Sequence, residues 1–267
     1  MLARVKRFIW REHLIPFLGR RSWRPAACTP LGPDFLRAVN GFDEEDLIKA
    51  AARTVAAHTM ASLERLATLW QQVRYLDRYG IGGALVECGV WRGGCAGMMA
   101  LAHLHAGGPA TREIHLFDSF QGLPQPDRRF DGMEAVAMAA GRADGVAAPI
   151  GACVASAEDS RQLLVDLIGY PSHLVKTHAG WFEDTLPLAA PAVGPVALLR
   201  LDGDWYRSTK ICLEHLYDQV SAHGVVVIDD YGHFRGCRKA VDEFVEKLGI
   251  PILMNHIDYT GRFWVRS

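Results

Sequence analysis

Two apolar runs of strand length dominate the pattern of hydrophobic and polar positions. Leu198-Leu199-Arg200-Leu201 stops at Asp202-Gly203-Asp204, and Val225-Val226-Val227-Ile228 stops at Asp229-Asp230-Tyr231. Near-continuous apolar segments that end abruptly at acids read as buried parallel strands leaving a sheet. The same rhythm occurs earlier in the chain. Residues 84–88 end at a glycine-rich loop, residues 114–117 end at Asp118, and residues 174–178 end at Ala179-Gly180-Trp181. Between and before these strands the period becomes helical. Met60, Leu63, Leu66, Ala67, Leu69 and Trp70 share one face, and Asp43-Glu44-Glu45 suits a helix start. The spacing predicts helices from residue 33 to about 79, with Thr59 and Met60 opening one of them, and further helices over 208–222 and 237–248. Residues 252–258 and 261–266 read as a closing hairpin turning at Thr260-Gly261. Strands alternating with helices predict an α/β fold, Rossmann-like, with a mostly parallel seven-stranded sheet and right-handed crossovers. Residues 59–267 form its domain, and residues 1–58 read as a helical extension suited to a lid or to oligomer contacts. Residues 127–150, rich in Ala, Gly and Asp, read as a mobile insert.

Composition changes this picture little. The chain has 267 residues, 49% hydrophobic and 22% charged, and a net charge of −1, which gives no reason to expect a nucleic-acid partner. Six cysteines form no CxxC pair or zinc-ligand cluster, and several fall inside apolar elements, so buried reduced thiols are expected. No run approaches the ~18 apolar residues of a membrane span, and the expected compartment is cytoplasmic. Residues 1–24 are different in kind. Arg4, Lys6, Arg7, Arg11, Arg20, Arg21 and Arg24 interleave with Phe8, Ile9, Trp10, Leu14, Ile15 and Phe17. Arg11-Glu12-His13 interrupts the apolar core that a secretory signal needs. Such a basic amphipathic segment docks on the protein body or another subunit, or makes weak contact with an anionic membrane surface.

The strand ends carry the chemistry. In open α/β sheets ligands collect outside the carboxyl ends of the strands. The loop Gly89-Val90-Trp91-Arg92-Gly93-Gly94 is not the dinucleotide pattern G-x-G-x-x-G, and Glu87 lies two residues before its first glycine. A carboxylate there repels a pyrophosphate but accepts hydrogen bonds from an amino group. Asp118 is placed to accept from both hydroxyls of a ribose. A ligand with an ammonium group and a ribose but no phosphate is S-adenosylmethionine. Trp181 offers its adenine a flat apolar surface, or is simply a core residue. Asp202, Asp229 and Asp230 converge if their strands pair, and carboxylates that close call for a hard divalent cation such as Mg²⁺ between them. Alternatively, Asp202 and Asp229 cap helices or pair with Arg200, Arg207 or Arg235. Asp204 is either a fourth ligand or a helix cap.

Five motifs in order carry a resemblance. They are Val86-Glu87-Cys88-Gly89-Val90-Trp91-Arg92-Gly93-Gly94, Phe117-Asp118-Ser119-Phe120-Gln121-Gly122-Leu123-Pro124, Gly180-Trp181-Phe182-Glu183-Asp184-Thr185-Leu186-Pro187, Leu199-Arg200-Leu201-Asp202-Gly203-Asp204 and Ile228-Asp229-Asp230-Tyr231-Gly232. Together they resemble the macrocin O-methyltransferase (TylF/MycF) family, from about Thr59 to the end. The resemblance implies a class I methyltransferase fold, S-adenosylmethionine as donor, Mg²⁺-dependent O-methylation of a sugar or other vicinal diol, and a homodimer or higher homo-oligomer. It implies donor contacts by Thr59, Met60, Glu87, Gly89, Val90, Cys95, Asp118, Ser119, Gly180 and Trp181, and metal ligation by Asp202, Asp229 and Asp230. Cys95 stands where related metal-dependent enzymes often carry Ser. The metal would bind adjacent acceptor hydroxyls and acidify the one to be methylated. Asp202 is the first candidate base and His233 the second. Two rival readings use the same residues: a metal-dependent phosphoester hydrolase, and a non-catalytic binding or scaffold protein.

Overall fold

The computed structural model describes residues 44–107 and 109–267. The basic segment 1–24, and the lid, subunit and membrane contacts expected of it, lie outside these residues. Seven strands form one sheet: β1 (Ala84–Cys88), β2 (Ile114–Asp118), β3 (Val175–Ala179), β4 (Val196–Leu201), β5 (Val220–Ile228), β6 (Asn255–His256) and β7 (Arg262–Val265). Their order is β3-β2-β1-β4-β5-β7-β6. Neighbours among β1 to β5 run parallel, while β7 is antiparallel to β5 and β6. The order reverses between β1 and β4, and a crevice opens at such a switch point.

Alternation along each strand splits the core into two layers. Leu85, Ile114, Leu116, Leu198, Val225 and Val227 face one helical layer: α1 (Glu45–Val55), α2 (Leu63–Arg78) and α3 (Gly94–His105). Val86, Cys88, Phe117, Leu199, Leu201, Val226 and Ile228 face the other: α4 (Gly132–Met138), α6 (Phe182–Val193), α7 (Tyr206–Leu216) and α8 (Arg235–Leu248), while α5 (Ala157–Arg161) lies against Gly93 beside the start of α3. Residue i and residue i+1 of a strand point to opposite faces, so each apolar run feeds both layers at once. Ile48, Ala51, Ala52 and Val55 of α1 are buried in the same cluster as α3. Described residues on both sides of position 58 thus share one hydrophobic cluster.

Three local expectations need correction. Thr59 and Met60 do not open a helix. Both lie in the loop after His58, and Ser62 caps α2 by accepting from Arg65 N at 3.2 Å. The helix expected over 208–222 ends at Leu216, and Val220 already pairs with Val196 of β4. A bulge then carries residues 221–224, where a Cβ on Gly224 would stand 2.9 Å from Ala197 O. Residues 127–150 are not a free insert. Asp131, buried, accepts from Tyr206 N at 2.7 Å and from Asp127 N at 2.6 Å. Trp205 Nε1 donates to Pro124 O at 2.9 Å, and Phe130 stacks on Tyr206 at 4.3 Å. Cys88, Cys95, Cys212 and Cys237 are buried free thiols, and Cys153 is exposed. Among the described residues no helix is long and apolar enough to cross a membrane.

Candidate active site

A cavity of about 250 Å³ opens at the carboxyl ends of β1, β2, β4 and β5. Its walls include Thr59, Met60, Glu87, Gly89, Val90, Cys95, Asp118, Ser119, Trp181, Asp202, Asp229 and Asp230, so strands and loops far apart in sequence supply one site. Gly180 is not in the wall. It stands behind Trp181, its amide donating to Asp118 O at 2.9 Å.

Around the loop after β1, two glycines are needed for close packing. A Cβ on Gly89 (φ 89°) would stand 1.7 Å from Asp202 O, so the first glycine lets β1 and β4 converge. A Cβ on Gly94 would meet His58 O at 2.5 Å, so this position lets the 58–59 loop close over the start of α3. Trp91, Phe120 and Asp204 all adopt φ near +55° in strand-end loops (51°, 54° and 57°), a conformation that concentrates at functional sites. Asp118 Oδ2 accepts from Val90 N at 2.6 Å and Trp91 N at 2.9 Å, and its Oδ1 accepts from Phe120 N at 2.7 Å. The carboxylate thereby fixes the loop it faces. Ser119 Oγ donates to Gly122 O at 3.0 Å and shapes the next turn. Thr59 Oγ1 lies 3.6 Å from Cys95 Sγ, whose thiol is pushed up to about 12 by burial.

Glu87 is 1% exposed; its Oε1 accepts from Arg200 Nη1 at 2.7 Å and its Oε2 from Ala96 N at 3.1 Å. Burial pushes its carboxyl up to about 8, against the pull of Arg200. Arg200, 2% exposed, also donates from Nη2 to Asp202 Oδ2 at 2.9 Å and Asp229 Oδ1 at 2.6 Å. One guanidinium thus touches both Glu87 and the acids across the cavity.

Those acids divide into two groups. Asp202, Asp204 and Asp230 bring one oxygen each to within 4.8 Å of one another. Burial raises all three pKa values, and charge repulsion adds to it, from Asp229 on Asp202, from Asp202 on Asp204, and from Asp204 on Asp230. Asp229, expected in this group, is turned away from it. Its Oδ1 meets Arg200 and its Oδ2 meets Arg65 of α2. Consecutive residues leaving a strand point to opposite sides, which sends Asp229 to the arginines and Asp230 to Asp202 and Asp204. The pairing of Asp202 and Asp229 with Arg200, left open by the sequence, is thus present together with the cluster. Oxygen donors of this kind suit a hard divalent cation, and a cation between them relieves the repulsion.

His233 does not belong to the site. It is exposed, its Nδ1 lies 3.2 Å from Tyr259 Oη, and it is absent from the cavity wall. The turn closed by Phe234 N donating to Asp230 O directs it outward. The wall residues not assigned to the site from sequence include Arg65, Arg200 and His58, whose buried Nδ1 has no hydrogen-bond partner. Arg200 carried a signal, because an arginine inside an apolar run must be paired when buried. Arg65 and His58 carried none.

Known proteins resemble this chain over most of its length. A family model described as macrocin O-methyltransferase matches residues 33–266. A tetracenomycin 4'-O-methyltransferase of Streptomyces olivaceus, named for its dimethoxy-rhamnosyl substrate, is 38% identical over 78% of this chain and 75% of its own. Mycinamicin III 3''-O-methyltransferase of Micromonospora griseorubida is 36% identical, over 79% of each chain. Among solved structures, the O-methyltransferase NovP superposes with a TM-score of 0.64 at 35% identity, covering 79% of this chain and 82% of NovP. Calicheamicin methyltransferase CalS11, at 18% identity and a TM-score of 0.56, shares the fold over 85% of this chain and 94% of its own. The matched region contains both the loop that Asp118 fixes and the strand ends that carry the acids, and the chain belongs to the macrocin O-methyltransferase family of S-adenosylmethionine-dependent O-methyltransferases.

Proposed function

We propose that this enzyme methylates a hydroxyl on the sugar of a glycosylated natural product, with Mg²⁺ held by Asp202, Asp204 and Asp230. The observation that carries the reading is the position of the three-carboxylate cluster in the same cavity as the donor-side acids Glu87 and Asp118. Among the wall residues seven carboxylates (Glu87, Asp118, Glu183, Asp202, Asp204, Asp229, Asp230) face two arginines (Arg65, Arg200). Such an excess attracts a sulfonium donor and a dication, and it repels the phosphoester that a hydrolase would need. A relative whose name specifies a rhamnosyl group supports the acceptor class.

Glu87 receives the donor ammonium. Its oxygens use one contact each, and a carboxylate has about four acceptor positions. Asp118 turns its remaining capacity to the ribose, and Trp181 offers its face to the adenine. Gly89, Val90, Cys95, Ser119, Thr59 and Met60 complete the donor wall. Asp202 is the base for the acceptor hydroxyl, because its carboxylate belongs to the cluster and lies within reach of a hydroxyl held there. A bound Mg²⁺ supplies Lewis acidity that lowers the pKa of the acceptor hydroxyl. Alignment of that hydroxyl with the donor methyl is the protein's contribution, set by rigid strand ends. A homodimer or higher homo-oligomer belongs to the same reading and is checked by sedimentation. The decisive trial is calorimetric titration with S-adenosylmethionine and S-adenosylhomocysteine, with Mg²⁺ and with EDTA. Micromolar donor binding together with a saturable Mg²⁺ heat supports the proposal. Absence of donor binding under every condition removes it.

A further inference from the structure

Asp229 holds one guanidinium on each oxygen. Arg200 takes Oδ1 at 2.6 Å, and Arg65 takes Oδ2. The two arginines are not equivalent. Arg200 is 2% exposed and is tied at the same time to Glu87 and Asp202, so it is a fixed part of the sheet. The Arg65 side chain is 16% exposed, lines the cavity, and has a second hold, Nε to Asp258 Oδ2 at 3.1 Å. Asp258 is itself fastened: Ser62 Oγ donates to it at 2.8 Å, and the amides of Thr260 and Gly261 donate at 2.9 and 2.7 Å. Arg65 thus has a prepared resting place on the carboxyl-terminal hairpin, beside its contact with Asp229.

We propose that Arg65 is a resident counter-cation of the metal cradle: it occupies Asp229 until a divalent ion enters, and so sets the cradle's ion affinity. This rests on the reading of Asp202, Asp204 and Asp230 as metal ligands. A guanidinium stays charged at every accessible pH. A dication at Asp230 therefore repels a guanidinium fixed on the adjacent residue, and Arg65 relieves the repulsion by yielding Asp229 and keeping Asp258. Entry of the ion must displace a largely buried ion pair, and that competition weakens binding. Arg65 is a positioning residue here, since it acts through Asp229.

The test is calorimetric titration of the metal-stripped full chain with Mg²⁺, for wild type, Arg65→Gln, Arg65→Lys and Asp258→Asn, each first shown to be folded by its melting curve. Arg65→Gln removes the competitor and tightens Mg²⁺ about tenfold, within the usual range of coupling between sites. Arg65→Lys keeps the charge and stays within about threefold of wild type. Asp258→Asn removes the resting place, pushes the guanidinium onto Asp229, and weakens Mg²⁺ severalfold. A merely structural tie between α2 and the hairpin gives another pattern, in which Arg65→Gln leaves Mg²⁺ affinity unchanged or lower. That result, with measurable wild-type binding, overturns the inference and leaves the metal reading intact. If Arg65→Gln does not fold, Asp258→Asn decides alone, and unchanged Mg²⁺ affinity there overturns the inference. No Mg²⁺ heat in any of the proteins overturns the metal reading and this inference together.

Discussion

Replacement of Asp118 tests whether one carboxylate both builds the donor loop and reads the donor. In the structure it accepts three backbone hydrogen bonds, at 2.6, 2.9 and 2.7 Å. A hydrogen bond to a charged group nets about 1.5–3 kcal/mol. The site is half-buried, and water can reach some of the freed amides, so Asp118→Ala costs about 3–4 kcal/mol rather than the full sum. For a chain of this size each kcal/mol lowers the melting temperature by about 2–4 °C, which gives a fall of about 6–16 °C. Asp118→Asn keeps one accepting oxygen but turns an NH₂ group toward amide donors, so it recovers only part of the loss. Donor affinity falls separately, because the ribose loses a charged acceptor: about 1.5–3 kcal/mol, or roughly 10- to 150-fold in Kd for S-adenosylhomocysteine. The assays are thermal unfolding by circular dichroism and calorimetric titration below the melting range of both variants. If both variants melt within about 2 °C of wild type and bind the donor product unchanged, the dual role is refuted.

Glu87, with its pKa pushed up to about 8 from an ordinary 4.5, holds a proton in the native state that the unfolded chain has already released. Its contribution to stability is therefore fully present below pH 4.5 and is lost as pH rises through about 8. The ammonium of the donor needs the ionised form, so donor affinity increases up to about pH 8 and binding at pH 7 releases a proton. Calorimetry in buffers of different ionisation enthalpy detects that release, and Glu87→Gln abolishes it. Gly89→Ala places a Cβ 1.7 Å from Asp202 O at a positive φ and destabilises the chain by more than about 3 kcal/mol, which soluble yield and melting temperature report. His233→Ala leaves kcat and KM for the donor within about twofold of wild type, because the ring lies outside the cavity and contacts Tyr259. A hundredfold loss of kcat there would return His233 to the chemistry.

Particular residues show how much of this was legible in the sequence. β1, β2, β4 and β5 could be read because each is buried on both faces and so nearly all apolar, and each ends at a glycine or an acid. The start of β5 was hidden because Ser221, Ala222 and His223 form a bulge whose polar residues look like a helix end. The 127–150 segment gave no sign of its anchors, since these are a main-chain carbonyl of Pro124 and a single buried Asp131 reaching a helix 75 residues away. The acids of the site were legible as a group but not in their division. Asp229 and Asp230 both line the cavity, but Asp229 is held by Arg65, 164 residues earlier, and no local pattern records that contact. His233 suited base chemistry by residue type, yet the turn from Asp230 to Phe234 points it to solvent.

The central claim, methyl transfer to a sugar hydroxyl dependent on a cation at Asp202, Asp204 and Asp230, meets its most direct test in one assay. Transfer of labelled methyl from S-adenosylmethionine to a panel of rhamnosylated and other deoxysugar glycosides is measured with Mg²⁺, after EDTA, and after Mg²⁺ is restored. The account predicts label on a sugar hydroxyl with Mg²⁺, loss in EDTA, recovery on Mg²⁺ addition, and none of these in Asp230→Asn. Undiminished transfer in EDTA, or wild-type transfer by Asp230→Asn, would contradict it.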